Sequence, residues 1–451
     1  MALRLILRTA LLAALSALFF APAALAAKGL IRDTEIEADI HRMMTPIWEA
    51  AGLDPDAVHV YLLDDDQINS FVAGGQNIFI NTGLVRRAKT PDMLLGVLAH
   101  ETGHIALGHL TRAGEAMKNA SIEGIVAMVL GAAAAIASHS DQSGAAMLPG
   151  ALVAERAWLR YSVTQEASAD QAALSYLDRT HQSSRGLLKF FERLQTEELL
   201  EGDHLDPYLR DHPLTSQRIE YLREHVAHSP YSNAPDPPQY AAMLKLIKMK
   251  LAAFLSPPGT TLARYPESDN SLLARYARAI AYYRVPQLDE ALPIIDGLIR
   301  DHPHNPFFEE LKGQMLFENG RVKEAIAPYD AAVRLDPGAA LLRISRAQVY
   351  IESQEPRLDK PAIADLNEAL RSEDKDSGAW HLLAIAYGRD GQKGKAALAL
   401  AEEGLVAGKK KDTLFEVARA ERLLPKDSAS YARAEEIKRE AKELKEPKAT
   451  D

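Results

Sequence analysis

Residues 90–106 of the chain read TPDMLLGVLAHETGHIA, and this stretch decides the fold around it. Thr90 suits the N-cap of a helix and Pro91 suits its first position. Apolar residues then continue as far as Leu98. The sequence therefore predicts a buried helix that begins at Pro91 and carries HETGH towards its end.

On this helix His100 and His104 lie four residues apart, so both imidazoles project from one face, about 40° apart around the axis and about 6 Å apart along it. Two imidazoles in that arrangement can bind one tetrahedral Zn²⁺ ion. Glu101 lies beside them, where its carboxylate can accept a proton from a water molecule that the metal activates. The alternative is an accidental HExxH sequence in a histidine-bearing helix, and the apolar surroundings argue against it.

A catalytic zinc site normally has three protein ligands, so a third ligand must come from another helix. Glu166, in QEASADQAAL at 165–174, is the best candidate because Asp170 lies one turn later on the same face. Asp170 could then orient a ligand histidine or contact the substrate. The surrounding alanines favour this interpretation over an ordinary acidic helix surface.

Two other histidines are interpreted separately. His109 follows His104 by five residues, about 140° around an ideal helix, and is interpreted as structural. His212, in DHPLTSQRI at 211–219, could occupy the open metal position in a resting state, stabilise the oxyanion, or simply begin the next helix. Arg218, on that next helix, could anchor the loop of His212.

Strands are predicted before the HETGH helix. Residues 58–62 alternate in polarity, and residues 68–73 and 76–81 flank Gly74-Gly75, which suits a hairpin turn. A helix is predicted over residues 35–54. The strand at 76–81 is expected to pair with an extended peptide.

The first 26 residues, MALRLILRTALLAALSALFFAPAALA, have the basic start, apolar run and small-residue end of a secretory signal peptide cleaved after about Ala26. An uncleaved membrane anchor is the alternative, but the apolar run at 10–20 is shorter than the roughly 20 residues that span a bilayer. The sequence contains no cysteine, which excludes a disulfide scaffold and a thiol nucleophile. In an exported chain this composition favours a bacterial periplasm.

The chain has 451 residues, of which 47% are hydrophobic and 25% charged, as in a soluble globular protein of two or three domains. Its formal net charge of −10 argues against a nucleic-acid partner. Residues 124–137 carry no polar side chain, and as a helix of about 21 Å they would be too short to span a bilayer. They are expected to form a buried or capping helix, or alternatively a movable lid or a peripheral contact with a membrane surface.

Beyond residue 270 the sequence repeats itself. Two series of small residues recur, at Ala279, Gly313, Ala347 and Ala384, and at Ala291, Ala325, Ala362 and Ala396. Their period, mostly 34 residues, resembles that of the tetratricopeptide repeat, in which two helices approach closely at small residues. The repeats are expected over 271–408, with a charged helix pair to about Leu444 as a cap.

HETGH, followed 62 residues after His104 by EASAD, resembles the peptidase family that includes the HtpX heat-shock protease and the CAAX prenyl endopeptidases. The pattern of that family is HExxH with a later ExxxD. The resemblance implies a zinc endopeptidase with one Zn²⁺ per chain. It implies that His100, His104 and Glu166 are the zinc ligands, that Glu101 is the general base and that Asp170 is the catalytic helix aspartate of the pattern, acting as a proton donor.

The predicted fold is mainly α with a small β-sheet, a zincin-like metalloprotease domain followed by an α-solenoid of tetratricopeptide repeats. The expected division is a signal peptide at 1–26, a protease domain at 27–228, a connecting segment at 229–270 and repeats at 271–445. The resemblance also implies a periplasmic enzyme that degrades misfolded or incompletely assembled proteins and contacts the outer-membrane barrel assembly machinery through its repeats. The alternative is a chaperone or assembly adaptor with a latent protease site.

Overall fold

The computed structural model describes residues 29–109, 121–122, 124–126, 149–201, 208, 212–285 and 287–444. The predicted signal peptide at 1–26 and most of the apolar segment at 124–137 lie outside these residues. The described chain is mainly helical with one small sheet, which confirms the predicted fold class. None of the helices described is both long enough and apolar enough to cross a membrane.

The sheet consists of β1 (Leu30–Ile31), β2 (His59–Leu63), β3 (Ser70–Ala73) and β4 (Asn77–Asn81), in the order β1-β2-β4-β3. β3 and β4 are antiparallel and are connected through Gly74 and Gly75, both at positive φ, which confirms the predicted hairpin. β4 also pairs with β2 in parallel, so both of its edges are occupied. The expectation that this strand pairs with a peptide is therefore wrong, and the edge strands of the sheet are β1 and β3.

The helices that accompany the sheet are α1 (Thr34–Ala51), α2 (Thr82–Arg87), α3 (Pro91–Ala106), α4 (Pro149–Arg179), α5 (Arg185–Glu201) and α6 (Ser216–His228). α3 begins at Pro91 as predicted, although the Thr90 side chain makes no capping hydrogen bond. The core between the sheet and these helices contains the fully buried side chains of Trp48, Leu98 and Phe191. α3 is central to this core, because nearly all of its residues are buried.

The other face of the sheet carries a row of stacked aromatic rings. Phe79 lies between Tyr61 and Phe71, at ring-centroid distances of 5.3 and 5.1 Å. Ile125 and Val126, which belong to the apolar segment at 124–137, are buried against this row. The described part of that segment therefore covers the outer face of the sheet.

Two helices connect the sheet-bearing half to the repeats, α7 (Pro238–Leu255) and α8 (Pro258–Arg264). α7 contributes to two cores from two of its faces. Ile247 and Leu251 pack with the core around α3, whereas Met249 and Ala253 pack with the core of the first repeat. The halves are thus joined through one shared helix.

The remaining helices follow in antiparallel pairs: α9 (Leu272–Arg284), α10 (Leu288–Asp301), α11 (Pro306–Glu318), α12 (Val322–Leu335), α13 (Ala340–Glu352), α14 (Asp359–Ala369), α15 (Ser377–Arg389), α16 (Lys393–Val406), α17 (Lys410–Leu423) and α18 (Ala429–Glu443). The first series of small residues lies on the first helix of each pair and the second series on the second helix. Every alanine of the two series is buried, and a Cβ on Gly313 would lie 2.6 Å from the Tyr329 ring. The small residues therefore mark close helix contacts, as predicted.

Candidate metal centre

His100, Glu101 and His104 lie on α3 and are buried, with exposed fractions of 0%, 0% and 7%. The glycine of HETGH has a specific packing role, because a Cβ on Gly103 would lie 2.8 Å from the carbonyl oxygen of Ala169 on α4. Glycine thus lets α4 approach α3 closely. This approach brings Glu166, one turn before Asp170 on α4, into contact with the two histidines of α3.

Four side chains meet at this place, and each offers one donor atom within 4.8 Å of the others: His100, His104, Glu166 and His212. Glu166 Oε2 lies 3.2 Å from His100 Nε2, and Glu166 Oε1 lies 3.2 Å from His104 Nε2. The two imidazole Nε2 atoms are 3.1 Å apart. The structure therefore brings together the three residues that the sequence singled out as ligands, and adds His212.

The donor set fits a divalent metal ion such as zinc, because it combines imidazole nitrogens with one carboxylate in a buried position. Burial lowers the pKa of His104 to about 4, so its ring is neutral and retains a lone pair for a metal. Burial also disfavours a charged His100, but hydrogen bonds to Asp170 and Glu166 outweigh it and raise the pKa of His100 to about 10. The carboxylates of Asp170 and Glu166 thus favour a positive charge among the donor atoms, and a bound metal cation would supply that charge.

Asp170 lies behind His100 rather than among the four donor atoms. Its Oδ1 is 2.9 Å from His100 Nδ1, and the Arg218 guanidinium donates to both of its oxygens, over 2.6 and 2.9 Å. Burial would raise the pKa of Asp170, but the charge of Arg218 and the hydrogen bonds lower it, so Asp170 is ionised. This geometry favours orientation of His100 over substrate contact, the two roles that the residues left open. It does not favour the proton donor that the resemblance implies, because an ionised Asp170 paired with Arg218 carries no proton to donate.

Arg218 is a buried cation that the sequence indicated only as an anchor for the loop of His212. Its Nη1 donates to the Pro213 carbonyl over 2.8 Å and lies 3.1 Å from Glu166 Oε2. Together with the bidentate contact to Asp170, these contacts connect the loop to α4. The partner of this arginine could not be read from the sequence, because Asp170 and Arg218 are 48 residues apart.

His212 lies against the ligand group and does not begin the next helix, because α6 starts at Ser216 with Thr215 as its N-cap. His212 Nδ1 is 3.1 Å from Glu166 Oε2, and its Nε2 donates to the Ser70 carbonyl over 3.1 Å. The same Nε2 is 3.5 Å from Glu101 Oε1. Burial opposes charge on His212, but Glu101 and Glu166 outweigh it and raise its pKa.

Tyr208 is a contact of His212 that the sequence analysis missed. The two rings stack with their centroids 4.6 Å apart and an interplanar angle of 28°. The His212 backbone N–H also donates to the Tyr208 carbonyl over 2.7 Å. An aromatic residue four positions before a loop histidine is a weak signal, and only the fold brings the rings together.

His109 contradicts the expectation that it points away from His104. α3 ends at Ala106, and Gly108 adopts a φ of 66°, so the chain turns back instead of continuing the helix. His109 Nδ1 then lies 3.1 Å from His104 Nδ1. The angle of about 140° between His104 and His109 holds only if the helix continues through both residues. Gly108 was the signal in the sequence that the helix ends before His109.

Comparison with known proteins identifies similarities in two separate parts of the chain. Residues 31–226 match the model of peptidase family M48, and residues 276–340 match the tetratricopeptide repeat. The chain is 25% identical over 358 residues to the beta-barrel assembly-enhancing protease of Yersinia pestis, covering 78% of this chain and 72% of that protein. It is 24% identical over 372 residues to the protein of the same name from Escherichia coli (strain K12), with the same shares covered.

A further relative aligns with a smaller share of the chain. Metalloprotease LoiP of Escherichia coli (strain K12) is 29% identical over 190 residues, which cover 41% of this chain and 70% of LoiP. The family match contains every residue of the four-residue donor group and Glu101. The chain is therefore a metallopeptidase in which residues 31–226 match the model of peptidase family M48 and residues 276–340 match the tetratricopeptide repeat.

Proposed function

We propose that the chain is a zinc-dependent endopeptidase in which His100, His104 and Glu166 hold one Zn²⁺ ion. The observation that carries this proposal is the buried group of donor atoms, all within 4.8 Å of one another, with Glu101 next to it on α3. A zinc ion held there would supply Lewis acidity, which polarises a peptide carbonyl and acidifies water. A closed structural site would have no need for a buried carboxylate beside the ligands.

The protein's own residues have separate roles in this proposal. Glu101 accepts the proton of the attacking water and delivers it to the leaving amine. Asp170 holds the His100 ring so that its Nε2 faces the ligand group, and Arg218 keeps Asp170 ionised and in place. His212 occupies the remaining position in the resting state and leaves when a substrate arrives.

The proposed peptide-binding strand is β3, because it lies at the sheet's edge next to the donor group. An extended peptide can add to such an edge through main-chain hydrogen bonds, with little preference for sequence. The Ser70 carbonyl on this strand accepts a hydrogen bond from His212. A bound peptide and His212 would compete for that carbonyl, so peptide binding itself favours displacement of His212.

We place this activity in the bacterial periplasm, after removal of a signal peptide at 1–26. The division into a protease domain at 27–228, a connection at 229–270 and repeats at 271–445 is part of the proposal. The name of the relatives, beta-barrel assembly-enhancing protease, supports substrates among beta-barrel proteins, and we propose that these are misfolded or incompletely assembled outer-membrane proteins. The repeats would supply a docking surface for the barrel assembly machinery.

A second candidate is a chaperone or assembly adaptor that acts through its repeats and has a latent protease site. The position of His212, within the donor group, favours this alternative because it would leave no position open for water. The two candidates differ in whether a bound unfolded protein is cleaved.

The test uses an unfolded outer-membrane barrel protein, and it measures cleavage and zinc content together. The parent protein should cleave the substrate with one zinc per chain. Glu101→Gln should keep zinc and lose cleavage by about 10²–10⁴-fold, because it removes the base and leaves the ligands. Glu224→Gln, at an exposed position on α6, is the matched control and should cleave normally.

The outcomes separate the candidates. Glu166→Ala should lose both zinc and cleavage, and unchanged zinc binding by this variant would place the third ligand elsewhere. Cleavage by Glu101→Gln near the parent rate would refute the role of Glu101. A parent protein that binds the unfolded substrate without cleaving it would favour the adaptor.

A further inference from the structure

His109 and His104 form a pair at the end of the helix that carries the ligand histidines. Their Nδ1 atoms lie 3.1 Å apart, and the ring planes are nearly perpendicular, at 73°, with centroids 5.1 Å apart. The pair exists because Gly108 has positive φ and turns the chain back onto the helix. Gln165, next to Glu166 on α4, donates to the His109 carbonyl over 3.4 Å, so the turn is also attached to the helix of the third ligand.

The arrangement of the His104 ring decides which atom carries its proton. Its Nε2 faces the donor group, 3.2 Å from Glu166 Oε1, and must offer a lone pair if it binds a metal. A neutral imidazole has one N–H and one acceptor nitrogen, so the proton is then on Nδ1. The neighbour of Nδ1 is His109 Nδ1, which must therefore be the acceptor, with the His109 proton on Nε2.

We propose that His109 is a positioning residue for His104, which it holds in the ring plane and tautomer that a metal ligand requires. The inference rests on the proposed function, in which His104 binds zinc. It gives each ligand histidine of α3 its own partner, since His100 has Asp170 at its Nδ1 and His104 has His109. Loss of such a partner typically lowers metal affinity by about 10–100-fold.

The substitutions distinguish this role from simple packing. His109→Leu keeps a side chain of similar bulk but cannot accept a hydrogen bond, and it should weaken zinc binding by about 10–100-fold. His109→Asn places an amide oxygen near the position of Nδ1, so it should retain most of the affinity. His228→Leu, at an exposed position on α6, is the control and should bind zinc like the parent.

Two measurements carry the test in the full-length protein. Competition with a chelator gives the zinc affinity of each variant. NMR of the zinc-loaded parent, with ¹⁵N- and ¹³C-labelled histidine, gives the tautomers, and His109→Asn identifies the His109 signals. We expect His104 protonated at Nδ1 and His109 protonated at Nε2.

Parent-like zinc affinity in His109→Leu, or equal losses in the Leu and Asn variants, would overturn the proposal. A His109 ring protonated at Nδ1 in the parent would overturn it as well, and this result needs no substitution that might disturb the turn. If the parent binds no zinc, the proposed function fails and this proposal fails with it, whereas the results above overturn the role of His109 alone.

Discussion

Lys250 joins the two halves of the molecule and offers a direct test of how they are held together. It lies on the shared helix α7, is 4% exposed, and places its Nζ 2.7 Å from Asp33 Oδ1 and 3.0 Å from Glu35 Oε2. The hydroxyl of Tyr276, on the first repeat helix, donates to the same Glu35 carboxylate over 2.8 Å. Lys250→Met should therefore destabilise the junction, because it removes the cation and leaves Glu35 buried.

The expected loss is about 3–5 kcal/mol, the usual range when one partner of a buried ion pair is removed. It should depend on pH in a definite direction. Burial already raises the pKa of Glu35, against the charge of Lys250, which lowers it. Without Lys250 the pKa of Glu35 rises further, so the loss of stability should be smaller at pH 5 than at pH 8, because at the higher pH the folded state must bury the charge or keep a proton that the unfolded state has released.

Denaturant unfolding at pH 5 and pH 8 measures the effect. Lys245→Met, at an exposed position of the same helix, is the control and should change the free energy of unfolding by less than about 0.5 kcal/mol. Combining Glu35→Gln with Lys250→Met should recover most of the loss at pH 8. A loss below about 1 kcal/mol at both pH values, or no recovery in the double variant, would refute the assignment of Lys250 as the central cation of the junction.

Three further substitutions test the site and the junction. His212→Ala should raise basal cleavage and self-cleavage with one zinc still bound, as measured with a fluorogenic peptide; loss of cleavage with zinc retained would instead indicate a transition-state role. Arg218→Met should destabilise the fold by about 3–5 kcal/mol, because it leaves Asp170 buried without its cation, and an unchanged thermal midpoint would contradict this. Burial raises the pKa of Glu310 from 4.5 to about 8, so between these values the folded state holds a proton that the unfolded state has released, and stability falls as pH rises. The free energy of unfolding of Glu310→Gln, measured with denaturant, should not show this fall between pH 5 and 8. An equal fall in the parent and the variant would show that other groups cause it.

The start of the catalytic helix could be predicted to the residue because its signals are local. Thr90 and Pro91 specify a helix start through the φ of proline and its missing N–H, and no distant contact is needed. The signal for Glu166 as a ligand is also local. Asp170 lies four residues later on the same helix face, and apolar residues surround both carboxylates. The contact of Glu166 with the histidines then depends on Gly103, whose lack of a Cβ lets the two helices approach.

Sequence patterns did not predict which strands or charged side chains pair when the two partners are far apart in the chain. The hairpin was predicted from Gly74 and Gly75, but the parallel pairing of β4 with β2 depends on how distant segments pack. The run Ile78-Phe79-Ile80, buried on both faces, is typical of a central strand and was the available indication. The buried Arg218–Asp170 pair likewise connects residues that no local rule relates.

The contacts of Arg218 also limit how the proposed resting state can open. The Pro213 carbonyl accepts from this buried guanidinium, which is fixed at the same time by Asp170 and lies beside Glu166. Moving Pro213 away would therefore break a contact of the guanidinium that holds Asp170, which in turn orients His100. His212, in contrast, is held through its ring, by the Ser70 carbonyl and by stacking on Tyr208. Displacement of His212 by rotation of its side chain leaves the arginine contacts intact, so the donor group can be opened without disturbing the residues proposed to hold the metal.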